Sequence, residues 1–158
     1  MNREITEAQD WVVRSGSALQ ALNFARFIPG ADVQALQMRV LAVGSCGEAF
    51  YFARDIEGAD IGVLQARVLS GRDGNVIYRF AKEVAGADAA ACEARLLQVG
   101  AGAALYLFAR EIGGANVLAL YSRAKSSGFA YLSSNIQQSF SALCAHNRRG
   151  SHDRFIRA

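Results

Sequence analysis

Proline, histidine and long apolar runs are all scarce in this chain, and each scarcity removes a class of protein. Pro29 is the only proline among 158 residues, so helices need not be broken. The fifteen glycines, spaced along the chain, suit helices closed by tight C-terminal caps. The only histidines, His146 and His152, lie near the C-terminus, where no enclosed site is expected. The three cysteines, Cys46, Cys92 and Cys144, are far apart, and no pair has the two-residue spacing of a zinc knuckle or redox motif. The longest weakly polar run, Leu96 to Ala109, contains Gln98 and falls short of the roughly 20 residues a spanning helix needs. Met1 to Asp10 carries Arg3, Glu4, Glu7 and Asp10 and lacks the apolar core of a signal peptide. A soluble cytoplasmic protein without a membrane segment is expected.

The net charge of +3 is unevenly placed. Residues 1–128 hold 13 Lys and Arg against 13 Asp and Glu, so this stretch is neutral. The excess comes from Arg148, Arg149, Arg154 and Arg157, set against Asp153 alone. A neutral body argues against a duplex-binding protein, which needs cations to neutralise phosphates.

What the sequence does have is a repeat. Phe24-Ala-Arg-Phe-Ile-Pro-Gly-Ala-Asp32 returns at Phe52–Asp60, Phe80–Asp88 and Phe108–Asn116, each displaced by 28 residues without a gap. Leu36, Leu64, Cys92 and Leu120 share a column, as do Arg39, Arg67, Arg95 and Arg123. Within one unit, Ala49, Phe52, Ala53 and Ile56 form the apolar stripe of a first helix. Gly58 ends that helix and Asp60 caps the next, whose stripe is Ile61, Leu64 and Val68. Helices of about 9–12 residues are too short to stand alone, so stacking is expected. The expected fold is all-α: a short αα-hairpin solenoid in a single domain, 1–146. Its parts are a capping helix 3–15, repeats near 18–44, 45–72, 73–100 and 101–128, and a second capping helix 134–146. A basic tail, 147–158, follows.

In general form this resembles the HEAT and tetratricopeptide solenoids, with a shorter period. The unit Tyr-x-Phe-Ala-Arg-x-Ile-x-Gly-Ala-Asp, over residues 18–128, is similar to a repeat in uncharacterised bacterial and phage proteins. That resemblance implies the fold and a prokaryotic or viral setting. It implies no catalytic residue and no ligand.

Two basic columns stand out. Arg26, Arg54, Lys82 and Arg110 fall about 200° from the Phe column, outside the apolar arc, and follow Leu22, Phe50, Tyr78 and Tyr106 by four residues. Such a ladder could bind an acidic partner or stack the bases of a single strand. Alternatively, the aromatics are inter-repeat core and the cations snorkel over them. Arg39, Arg67, Arg95 and Arg123 lie about 60° from the apolar stripe, where a charge needs a partner. Carboxylates of Asp55, Glu83 and Glu111, or the Asp caps, are the expected partners. Asp32, Asp60 and Asp88 read as helix caps and Cys92 as a core residue.

Enzyme signals are weak. Gly100-Ala-Gly102 opens like a dinucleotide fingerprint, but a helix precedes it and Leu105 fills the third glycine's place. Gly44-Ser-Cys46-Gly47 has no histidine nearby to activate its thiol. No catalytic residue, metal or cofactor is expected. The tail, with Arg148, Arg149, Arg154, Phe155 and Arg157, is either a solvated end or an arm that anchors on a partner. The leading expectation is a non-enzymatic protein-binding module, such as a phage or bacterial inhibitor or adaptor (an anti-defence protein, for instance) acting on a larger complex. The alternative is a nucleic-acid binder that uses the ladder and the tail. A second copy of the chain is a further candidate partner.

Overall fold

The computed structural model describes residues 3–128 and 138–145. Every regular element among them is helical: α1 Arg3–Ser15, α2 Ala18–Phe27, α3 Val33–Val43, α4 Cys46–Asp55, α5 Ile61–Ser70, α6 Gly74–Glu83, α7 Ala89–Val99, α8 Gly102–Glu111, α9 Val117–Ser126, and a helical segment 138–145. The chain is all-α. The expected capping helix 134–146 is described only over 138–145, and the tail 147–158 lies outside the described residues. Two compact units form. One runs through Arg72 and takes in Glu83–Ala87, and the other comprises Asp73–Lys82 with the described residues from Asp88 on.

Helix starts follow from local chemistry. Helices α2, α4, α6 and α8 begin 28 residues apart, as do α3, α5, α7 and α9. Asp32, Asp60, Asp88 and Asn116 precede the second set, and each side chain accepts the backbone N–H three residues on, at 3.0–3.2 Å. The expected aspartate caps are therefore present. Ser17 and Ser45 start α2 and α4 with reciprocal capping boxes to Gln20 and Glu48, and Asp73 caps α6. Helix α8 departs from this pattern. Its cap residue is Ala101, which makes no side-chain bond although its backbone has the same extended shape as the Asp caps. Ala101→Ser should therefore stabilise the protein by about 1 kcal/mol, read as a higher melting temperature.

The core is built from the repeated columns. Phe52, Phe80 and Phe108 are fully buried, as are Leu36, Leu64, Cys92 and Leu120. Burial, with a smaller contribution from the Asp88 charge, pushes the Cys92 thiol up to about 11, so it stays protonated and acts as a small apolar group.

Within each unit, a column not singled out in the sequence ties neighbouring helices. Gln9 and Gln37 are buried, and their side-chain oxygens accept the backbone N–H of Asp32 and of Asp60, each at 2.8 Å. Gln65, also buried, and Glu93 continue the 28-residue spacing, and Glu93 accepts the N–H of Asn116 at 3.0 Å. The identities change together. A neutral amide faces an aspartate cap, whereas the carboxylate of Glu93 faces a neutral asparagine cap, which avoids setting two negative charges side by side.

Candidate functional site

The first basic column lies on the exposed side of the first helix of each hairpin, and its cations are engaged. Arg26 donates to Asp55. Arg54 bonds Asp55 at 2.6 Å and Glu83 at 3.1 Å. Lys82 reaches Glu111 at 2.7 Å, and Arg110 donates to the same carboxylate. Acid and base thus alternate, with each carboxylate placed immediately after one cation and 29 residues after another.

The ladder shifts the titration of its members. Arg54, followed by burial and then Arg26, acts on Asp55, and the net effect holds that carboxyl below its usual range. Arg110, then Lys82 and the Tyr78 hydroxyl, hold Glu111 at about 2. Desolvation first, then the Glu111 carboxylate, raises the Tyr78 phenol. Glu111 is the hub, because it also accepts a hydrogen bond from the Tyr78 hydroxyl. Its carboxyl binds a proton more weakly folded than free, where the value is 4.5. Its contribution to stability is therefore complete above about pH 4.5 and lost as the pH falls toward 2. An acid-unfolding titration should show Glu111→Gln with a flatter stability profile across that window than the parent chain.

The aromatic partners divide. Phe50, 1% exposed, and Tyr78, 6%, belong to the core, so neither ring offers a face to a stacking base. Tyr106 is half-buried, with Phe140 of segment 138–145 edge-on at 5.1 Å. The cations do cover these rings. The Arg54 guanidinium lies 5.3 Å from Phe50 and 4.9 Å from Tyr51, Lys82 lies 5.7 Å from Tyr78, and Arg110 lies 5.4 Å from Tyr106. The same cations thus lie over rings and are ion-paired as well. Arg148, Arg149, Arg154, Phe155 and Arg157 lie outside the described residues.

The second basic column requires a correction. Of its two expected sets of partners, Asp55, Glu83 and Glu111 serve the first column, and the side chains of Asp32, Asp60 and Asp88 cap helix starts. Arg39 instead donates to the Gly16 carbonyl at 2.7 Å, Arg67 to that of Gly44 at 2.5 Å, and Arg123 to Leu97 at 2.7 Å and Gln98 at 3.3 Å. Arg95 bonds the Gln98 side chain. Gly16 follows α1, Gly44 caps α3, and Leu97 and Gln98 end α7. The last carbonyls of a helix have no intrahelical partner and carry the negative end of its dipole, so a guanidinium there satisfies both. The glycine that ends such a helix makes room. A Cβ on Gly100 would stand 2.7 Å from the Arg123 guanidinium, and one on Gly44 would stand 3.0 Å from the Ala18 side chain.

Among the described residues no group of three or more His, Cys, Asp or Glu side chains is arranged to hold a metal ion, and no helix is long and apolar enough to cross a membrane. The described residues define an all-α, repeat-like helical protein. No family model, curated protein or solved structure matches the chain.

Proposed function

We propose that this chain is a short α-solenoid of four 28-residue hairpins that works in the cytoplasm, without catalysis, by binding another protein. The supporting observation is a contrast of surfaces. The basic column that could have tracked phosphates is matched to carboxylates in the same ladder. Meanwhile Trp11, Leu19, Phe27 and Met38 are each more than half exposed. Large exposed apolar side chains are a resource for protein contacts and contribute little to phosphate recognition. The setting, a bacterial or phage inhibitor or adaptor on a larger complex, such as an anti-defence protein, rests on the resemblance of the repeated unit.

Affinity capture with the full chain from a bacterial host is the direct test, and a stoichiometric protein partner retained at physiological salt is the expected result. The opposite result is retention of single- or double-stranded nucleic acid at about 50 mM salt, falling steeply as salt rises. Loss of that retention on deletion of 148–158 would replace the protein-binding reading with the nucleic-acid one.

A further inference from the structure

Within each of the two units, the first helices of neighbouring hairpins meet through two opposite faces. Asp55 reaches back to Arg26, so the stripe formed by Phe52 and Asp55 of α4 and its C-cap Ile56 faces α2, and Phe52 and Ile56 are buried. The side that α2 turns toward α4 carries Leu22, which is buried, and Arg26. The second unit repeats the arrangement with α6 on α8. Tyr78 and Lys82 of α6 meet Glu111, and Phe108 is buried. One face therefore receives, with Phe, an acid and an aliphatic residue, and the other inserts, with an aromatic or leucine followed four residues later by a cation.

On α2 the receiving stripe is Phe24–Phe27–Ile28. The preceding helix, α1, is of the second kind, since its Gln9 and Gly16 fall in the columns of Gln37 and Gly44. No helix of the first kind stands before α2 among the described residues. Phe27 is accordingly 68% exposed, and Phe24 and Ile28 are only half-buried where Phe52 and Ile56 are buried. The acid of the stripe is also missing, because Phe27 occupies the column of Asp55, Glu83 and Glu111.

We infer that the Phe24–Phe27–Ile28 stripe docks an amphipathic helix of another protein. That helix takes the place of a first-type helix and carries an apolar residue where the chain's own inserting faces carry Arg or Lys. Among the described residues a second copy has no such face free. The inserting face of α2 meets Asp55, Arg54 of α4 is paired with Glu83, that of α6 meets Glu111, and Tyr106 of α8 is covered by Phe140. The apolar requirement follows from Phe27, which leaves a buried ammonium or guanidinium without a counter-charge.

This inference rests on the protein-binding reading and fails separately from it. The probes are two helix-forming synthetic peptides, one with Tyr and Leu four residues apart and one with Tyr and Lys at those positions. Each is titrated into the full chain and followed by NMR. The parent chain should bind the Tyr/Leu peptide about tenfold more tightly, and Phe27→Asp should reverse that preference by restoring the acid of the ladder. Phe27 is mostly exposed, so the variant should keep the parent melting curve. Binding of neither peptide, or an unchanged preference in Phe27→Asp, overturns the inference. So does a dimer in sedimentation that Phe27→Asp dissolves, since a second copy would then cover the stripe. A host protein retained equally by both variants also overturns it while leaving the protein-binding reading standing.

Discussion

Phe52→Ala should lower the unfolding free energy by about 3–5 kcal/mol, whereas Phe24→Ala, the same residue in the same column, should cost about 1–2 kcal/mol. The two phenylalanines occupy equivalent positions on α2 and α4, and the local sequence around them is nearly the same. The difference lies in what stands behind them. Phe52 is fully buried on the stripe that faces α2, so truncation removes the transfer energy of a phenyl ring and leaves a cavity lined by side chains that cannot close on it. Phe24 is half-buried, and water already touches part of its ring. Denaturant melts of both variants would decide the matter. Equal losses would mean that the stripe on α2 is covered, against the exposure described above.

Arg67→Ala should cost about 1.5–3 kcal/mol and Arg54→Ala less than about 1 kcal/mol, although Arg54 makes the more conspicuous ion pairs. Arg54 bridges Asp55 and Glu83 near the surface, where water and salt compete with the pairing. Arg67 holds the carbonyl of Gly44, itself buried, at the end of α3. Removing it leaves a buried acceptor at the negative end of a helix without its charged donor. One feature works against Arg67: its Nε is buried without a hydrogen-bond partner among the described residues, so the residue already carries some unmet desolvation. The expected order is still Arg67 above Arg54 in thermal melts. A reversed order would show that the ladder carries more of the stability than the helix ends do.

Different parts of this structure were legible in the sequence to different degrees, for identifiable reasons. Gly-Ala-Asp announced a helix end and the next helix's cap, because both are decided by backbone shape and one side chain, and the caps at Asp32, Asp60 and Asp88 followed. The Phe and Leu columns announced the core through their spacing alone. The ion pairs were less accessible. A helical wheel gives the direction in which Arg67 or Arg54 points, but it does not give how far one helix is shifted along its neighbour. That shift decides whether Asp55 meets Arg26 and Arg54 or a member of the other column. The same gap hid the role of the second column, since a carbonyl acceptor leaves no mark in the residue code. Gln9, Gln37 and Gln65 carry no mark of burial in their identity, because glutamine suits a solvated helix face as well as a buried one. Their 28-residue spacing, continued by Glu93, was the available signal.

Those side-chain oxygens also bear on how the fold opens. The amide hydrogens of Asp32 and Asp60 precede a helix start, a place where amides ordinarily exchange with water almost freely. Here each is held by a buried glutamine from 23 residues earlier. In deuterated solvent these two amides should persist about as long as those of the helix interiors, because freeing them requires moving a neighbouring helix and not merely fraying one end.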